Sequence, residues 1–208
     1  MNFDNEAKEW DNARRIERAV VIADEMRKSL GNTKDKSALE FGCGTGLISF
    51  NLKNDFKDIT LIDLSQEMIN VLNDKIKTFG VSNMESICCD LFDASMKKQY
   101  DVVYCSMVMH HIIEIEKTFD KFYDMLKAYG KLCIVDLDED GGALHREYKD
   151  FDGHNGFSQK WMRSLLRAKG FGNVKSYTFH KCYQEILGEE ISYTLSVSYT
   201  HLRAHETL

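Results

Sequence analysis

The chain has 208 residues, a length that suits one domain with a core large enough to need no staples. Lys and Arg total 27 against 33 Asp and Glu, so the net charge is −6, and no basic block stands out. That balance argues against a protein held on nucleic acid through phosphates or on anionic lipid through a polybasic segment. The opening from Asp4 to Arg18 is too dense in charge for a signal-peptide core, and no apolar run approaches the ~20 residues that span a bilayer. Six cysteines (Cys43, Cys88, Cys89, Cys105, Cys133, Cys182) form no C-x-x-C pair and mostly sit in strand-like runs. Buried thiols in a reducing cytosol are the reading, and the expected location is cytoplasmic.

Helical and strand-like periods alternate, the pattern of an α/β domain with a doubly wound, mostly parallel sheet. The first helix is predicted over about Asn5–Leu30, with Ile16, Val20, Ala23, Met26 and Leu30 inward and Gly31 as its stop. A strand at Ala38–Phe41 runs into the turn Gly42-Cys43-Gly44-Thr45-Gly46, and a helix follows over Leu47–Asn54. Ile59–Asp63 is the second strand. Ser65 caps a helix with Met68, Leu72, Ile76 and Phe79 inward. Glu85–Asp90 and Asp101–Ser106 are the third and fourth strands. A helix carrying Ile115, Phe119, Phe122 and Leu126 is predicted to end at Gly130, and Lys131–Leu137 is the fifth strand. Beyond an acidic turn (Asp138–Gly142) and a loop at Asp152–Gly156, Ser158 caps a helix to Lys169. Two late strands, about Asn173–Phe179 and Ile191–Ser198, should close a seven-stranded sheet as an antiparallel pair. The expected organisation is one domain over 1–198: an N-terminal helical segment (1–36), a central core (37–137) and later loops, helix and strands (138–198). The tail 199–208 fits no period and is read as frayed or foreign sequence.

The glycine turn carries the functional information. Alternating glycines between a strand and a helix let a ligand lie against bare backbone, at the carboxyl ends of the strands where nucleotides bind in such sheets. Asp63 lies 21 residues past Gly42, the distance at which a carboxylate bonds both hydroxyls of an adenosine ribose. A dinucleotide fold makes the same demands, but its fingerprint is G-x-G-x-x-G. Here the spacing is G-x-G-x-G, and Leu47 stands where the third glycine would fall. Glu40, two residues before the first glycine, would repel a pyrophosphate and suits a cationic amino group. An adenosine with a positive amino-acid tail is implied, and S-adenosylmethionine is that molecule.

On these residues the chain resembles the class I S-adenosylmethionine-dependent methyltransferases, in particular the small-molecule methyltransferase-domain type 11/12 group, over roughly Asn5–Leu195. The resemblance implies a Rossmann-like sheet and a set of cofactor contacts. Glu40, Gly42, Cys43, Gly44 and Gly46 match the first motif; Asp63 matches the ribose acid, flanked by Leu64 and Met68. Asp90 and Leu91 match an acid–hydrophobe pair facing adenine. Ser106 opens the segment Ser106-Met107-Val108-Met109-His110-His111, which resembles the lining of the methyl-transfer site. His110 and His111 are the candidate catalytic bases, since the ordinary imidazole pKa suits an acceptor that must lose a proton. The expected product is S-adenosylhomocysteine. The chain departs from the family in having Ala128-Tyr129-Gly130-Lys131 where a Pro-Gly-Gly turn is common, and Ile113 where a proline often stands.

With no proline anywhere, the Asn/Asp-Pro-Pro-aromatic and Pro-Cys motifs of enzymes that methylate DNA bases or glutamine are absent. The expected partner is a small-molecule acceptor, with no nucleic acid, no membrane and no metal; the sequence is silent on oligomeric state. Other features read as structural: Cys88-Cys89 as strand residues, Trp10 as core, and His154 as a loop residue beside the substrate entrance. Two alternatives stand beside methyl transfer: a nicotinamide-dependent Rossmann oxidoreductase, and a non-catalytic S-adenosylmethionine-binding protein.

Overall fold

Strand residues alternate between two apolar layers, and that alternation decides how the chain is wound. The computed structural model describes residues 3–147 and 150–202. Seven strands form one sheet: β1 (Ser37–Phe41), β2 (Asp58–Asp63), β3 (Met84–Cys88), β4 (Tyr100–Ser106), β5 (Leu126–Leu137), β6 (Phe171–Ile186) and β7 (Glu189–Leu202). Their order is β3-β2-β1-β4-β5-β7-β6. The pairs among β1 to β5 are parallel, and β7 lies antiparallel to both β5 and β6. The expected doubly wound sheet with an antiparallel closing pair is therefore present. On one face Ala38, Leu61, Tyr104 and Val135 meet the helices α2 (Ala13–Leu30), α3 (Leu47–Leu52) and α4 (Gln66–Thr78). On the other, Leu39, Ile62, Val103 and Ile134 meet α5 (Ile115–Met125) and α6 (Gln159–Ala168). Parallel strands covered on both faces are mostly apolar, and the exceptions here include the buried Glu40 of β1 and Thr60 of β2.

Caps fall where the sequence puts them. Ser65 accepts from the Met68 amide (3.2 Å) and Ser158 from the Trp161 amide (3.2 Å). The N-terminal helix differs. It breaks into α1 (Phe3–Glu6), a 3-10 turn at Ala7–Glu9 and α2, which starts where the Asn12 side chain accepts from the Arg15 amide (3.0 Å). Its inward face is also rotated from the one expected: Ile16 and Val20 are exposed, while Ala19, Ile22, Ala23, Met26 and Leu30 are buried. Arg15 and Arg18 share that inward face.

Two boundaries shift further. The helix predicted to reach Gly130 stops at Met125, and Leu126 already pairs with Tyr100. The next pair is Val102 with Lys131, so Lys127–Gly130 form a bulge, with Tyr129 in the left-handed region (φ 63°) and Gly130 so tight that a Cβ would lie 2.8 Å from the Lys127 carbonyl. The late strands are longer than expected and meet at Leu187-Gly188, both with positive φ (53° and 77°). The tail is corrected in part. Tyr199–Leu202 continue β7, with Leu132 opposite Thr200 and the fully buried Thr200 hydroxyl donating to the Gly172 carbonyl (2.5 Å). The buried polar threonine hid the strand period. Residues 203–208 lie outside the described residues.

Candidate functional site

The strand β1 delivers the chain to the crevice between β2 and β4, where the winding reverses, and a turn must carry it into α3. Gly42, Gly44 and Gly46 all have positive φ (67°, 51° and 78°). They do different work. A Cβ on Gly42 would lie 2.4 Å from Val108, and one on Gly46 would lie 2.5 Å from Leu72, so these two admit protein side chains. A Cβ on Gly44 would meet nothing nearer than Trp10 Nε1 at 3.8 Å and Met68 Sδ at 4.0 Å. Gly44 is the glycine whose bare face opens on the cavity, which has a volume of about 350 Å³.

Asp63, at the end of β2, is aimed by two backbone amides: Gly44 N–H donates to Oδ2 (2.8 Å) and Ser65 N–H to Oδ1 (2.9 Å). A carboxylate offers about four lone-pair positions, so acceptor capacity remains for a diol. Glu40 also lines the cavity, but it is almost wholly buried and takes a hydrogen bond from the Ser49 hydroxyl, which in turn meets the Tyr104 hydroxyl (2.5 Å). Burial, with the negative Asp63 nearby, pushes the Glu40 carboxyl up to about 8 despite the Ser49 bond.

On the far side of the crevice β4 ends at Ser106, and Met107 takes a left-handed conformation (φ 55°), its amide bonded to the Val135 carbonyl (2.9 Å). The turn that follows separates the two adjacent histidines. His111 lines the cavity, edge-on to Phe3 (5.3 Å). His110 lies behind it, its Nδ1 2.6 Å from the carboxylate of Asp136, which also accepts from the amides of Met109 (2.8 Å) and Leu137 (2.8 Å). Burial opposes the Asp136 charge, yet His110 and these donors hold its pKa below the usual carboxylate value. Burial and the neighbouring His110 depress His111 to about 3, so this imidazole is neutral and a weak base at physiological pH. His145 completes the group, with ring centroids 5.2 Å from His110 and 6.0 Å from His111.

Of the residues expected at the site, Glu40, Gly42, Cys43, Gly44, Asp63, Leu64, Met68, Ser106 and His111 line the one cavity. Gly46, Asp90, Leu91 and His110 are not on its wall. Asp90 is exposed and turns back to accept from the Phe92 amide (2.8 Å), while Leu91 is buried in the core. His154 also lies away from this cavity, bonded to the Ile112 carbonyl (2.9 Å). Trp10, read as core, instead stands at the cavity wall over Gly44, its ring under the Arg15 guanidinium (3.7 Å). The sequence reading missed Arg15, Arg18, Ser49 and Tyr104. For the two arginines the only signal was their place on a helix face, and the face had been assigned one step away. Among the described residues no group of three His, Cys, Asp or Glu is arranged to hold a metal, and no helix is long and apolar enough to cross a membrane.

The strand order, the glycine turn at the switch point and the acid ending β2 define the fold of the class I S-adenosylmethionine-dependent methyltransferases. Solved structures with that fold include YcgJ of Bacillus subtilis (TM-score 0.72, 14% identity, covering 90% of this chain and 99% of that one). An S-adenosylmethionine-dependent methyltransferase of Aquifex aeolicus is similar too (TM-score 0.70, 16% identity, 96% and 98% covered). Residues 38–130 match the model of a methyltransferase-domain family. An uncharacterized methyltransferase of Schizosaccharomyces pombe is 28% identical over 178 residues, 76% of this chain and 62% of the relative. A malonyl-[acyl-carrier protein] O-methyltransferase of Priestia megaterium is 29% identical over 136 residues, 64% of this chain and 48% of the relative. The chain thus matches about half to three fifths of the length of these relatives.

Proposed function

We propose that the protein is an S-adenosylmethionine-dependent methyltransferase acting on a small-molecule acceptor, with S-adenosylhomocysteine as its product. The observation that carries this reading is the meeting, in one cavity, of an amide-aimed Asp63, a buried Glu40 and the bare face of Gly44. Asp63 suits a ribose diol, and Glu40 suits an ammonium group. The dinucleotide alternative fits poorly, because the Gly46 amide at the start of α3 is already bonded to the Cys43 carbonyl (2.8 Å) and Glu40 stands close by. All six cysteines are free thiols, in keeping with a cytoplasmic enzyme.

S-adenosylmethionine, when bound, supplies an electrophilic methyl group for in-line displacement. The protein's part is positioning, an effect whose ceiling in well-oriented systems is about 7–11 kcal/mol. Asp63 holds the ribose and Glu40 the amino end. Exposed Leu64 flanks the nucleoside. Arg15, laid over the Trp10 ring beside Gly44, is a cation on the cavity wall and suits the carboxylate of the methionyl tail. His111 presents a neutral imidazole to the acceptor, and the Asp136–His110 pair fixes the turn that aims it. His110 is a positioning residue in this reading. Phe3 and Trp10 exclude water from the mouth.

Calorimetric titration with S-adenosylmethionine beside NADH tests the cofactor: binding of the first and none of the second is expected, and the reverse ends the reading. Transfer of labelled methyl to a metabolite extract, with mass identification of the product, then separates an enzyme from a module that only binds the cofactor.

A further inference from the structure

The cavity wall carries groups of both charges. Asp63 gives one part of the wall a carboxylate, with Glu40 near it, and α2 adds two guanidiniums, of which Arg15 lies by the glycine turn and Arg18 is tied to β7. Arg15, Arg18, Ala19 and Ile22 follow one another at helical spacing on the stripe of α2 that lines the cavity. The two guanidiniums are held differently. Arg15 lies over Trp10, donates to the Trp10 carbonyl (3.3 Å) and pairs with Glu6 (3.6 Å). Arg18 donates to the Tyr193 hydroxyl (2.9 Å) and has no carboxylate within ion-pair distance among the described residues. A guanidinium has five N–H donors in a fork that matches a carboxylate or phosphate, and one neutral hydroxyl leaves most of them available in a partly enclosed place.

The position of Tyr193 separates Arg18 from the cofactor's side. It is buried on β7, two residues before Leu195, which pairs with the last residue of β5. In the sheet order β7 stands four strands from β2, about 19 Å at the usual ~4.8 Å spacing, so the Tyr193 anchor sits beyond the end of β5 while Asp63 marks the ribose end. Arg15, one turn nearer the glycine loop, already answers the single carboxylate that the cofactor carries. Arg18 therefore has no anion to meet on the donor molecule.

We propose that Arg18, oriented by Tyr193, is the anion seat for the methyl acceptor, and that the acceptor carries a carboxylate or phosphate group as its recognition handle. This deepens the methyltransferase reading and rests on it. The handle lies on the β5–β7 side, leaving the atom to be methylated toward His111 and the crevice. An acceptor with a neutral or cationic handle would leave Arg18 buried against it without a partner, which disfavours binding.

The test uses the full chain loaded with S-adenosylhomocysteine and three probes of one shape: phenylacetate, phenyl phosphate and neutral phenylacetamide, followed by ligand-observed NMR. One or both anions should bind at least about tenfold more tightly than the amide, and whichever does so names the handle. Arg18→Gln should abolish that preference while leaving S-adenosylhomocysteine affinity, read by calorimetry, within about threefold. Tyr193→Phe, which keeps the ring and removes the orienting hydroxyl, should weaken the anion by about three- to tenfold. Equal binding of the amide overturns the proposal. So does an Arg18→Gln variant that loses tenfold or more in S-adenosylhomocysteine affinity yet keeps the anion preference, because Arg18 would then serve the cofactor. Failure of the native chain to bind S-adenosylhomocysteine at all defeats the cofactor reading itself, a result distinct from these two.

Discussion

The two halves of the cavity are built on different length scales. The half proposed for the cofactor comes from short loops: the turn 42–46 and the end of β2 at Asp63, joined by an amide–carboxylate bond between residues 19 apart. The half proposed for the acceptor is assembled from distant parts of the chain. The Arg18–Tyr193 bond spans 175 residues, and the turn that carries His111 is held through its neighbour His110, whose partner Asp136 lies 26 residues further on. A local turn needs particular residues at particular spacings. A long-range wall needs only that folding bring suitable groups together. The first kind of site leaves a motif in the sequence, and the second does not.

The sharpest way to break the contrast is to remove the acid that organises the cofactor half. Asp63→Ala deletes the acceptor of the Gly44 and Ser65 amides as well as the ribose contact proposed above. Charged hydrogen bonds contribute about 1.5–3 kcal/mol each, so a loss of about 100-fold or more in S-adenosylmethionine affinity is expected by calorimetry. Anionic probes seated on Arg18 should lose far less. An equal loss at both ends would mean that the cavity behaves as one unit.

Next in size is a pair of alanine substitutions in the same turn. Gly42→Ala drives a methyl to 2.4 Å from Val108 and should cost about 1–3 kcal/mol of stability in a denaturant melt, beyond the cost of its left-handed φ. Gly44→Ala meets no protein atom closer than 3.8 Å, so only the backbone penalty of about 1–2 kcal/mol applies. Cofactor binding should nevertheless vanish, because the methyl projects into the cavity. Equal stability losses with equal retention of binding would refute this division of labour.

Much of the fold was legible because strand and helix periods are long and regular here, and Ser65 and Ser158 announce their helices. The misreadings have physical causes. On α2 the exposed Ile16 and Val20 made a plausible apolar stripe, while the true inward face carries Arg15 and Arg18. A helix face interrupted by charge looks like a solvent face until its partners are known. The same holds at Thr200, buried in a strand by a single hydroxyl bond. At the site, Gly44 was visible because the turn's backbone demands a glycine, and Glu40 and Asp63 because their charge and spacing stand out beside that turn. The two adjacent histidines were visible, but their separation into one facing the cavity and one bonded to Asp136 depends on a turn that opens with Met107 in a left-handed conformation.

Glu40 supplies the pH dependence of the cofactor half. Its carboxyl is raised to about 8 by burial, so the folded state holds this proton more firmly than the unfolded chain does. The resulting stabilisation is full below the ordinary glutamate pKa of about 4.3, falls as pH rises, and is gone above about 8. An ammonium group arriving beside Glu40 favours the charged form. Binding S-adenosylmethionine near pH 7 should therefore release close to one proton, seen as a binding enthalpy that changes with the ionisation heat of the buffer. Affinity should climb with pH between about 6 and 7.5, by at most about tenfold per unit. Glu40→Gln should flatten that climb. His111, already neutral, should add no step of its own across this range.

The smallest effect tests the strap that joins the two halves. Asp11 accepts from the Thr45 hydroxyl (2.5 Å) and from Lys75 (2.8 Å), and Asp4 accepts from the Ser65 hydroxyl (2.5 Å). These contacts tie the segment bearing Phe3 and Trp10 to the cofactor half, while Phe3 reaches His111 on the acceptor half. Part-exposed contacts of this kind contribute about 0.5–1.5 kcal/mol, which is small beside the global stability but comparable to the free energy of opening a short terminal segment. Asp11→Ala should leave the midpoint of thermal unfolding nearly unchanged while raising amide hydrogen exchange in residues 4–10 about three- to tenfold. Cofactor dissociation should quicken by a similar factor, because Trp10 covers Gly44 only while the strap is tied down. If exchange rises and dissociation does not, the cover and the cofactor site are independent, and the strap serves the acceptor half alone.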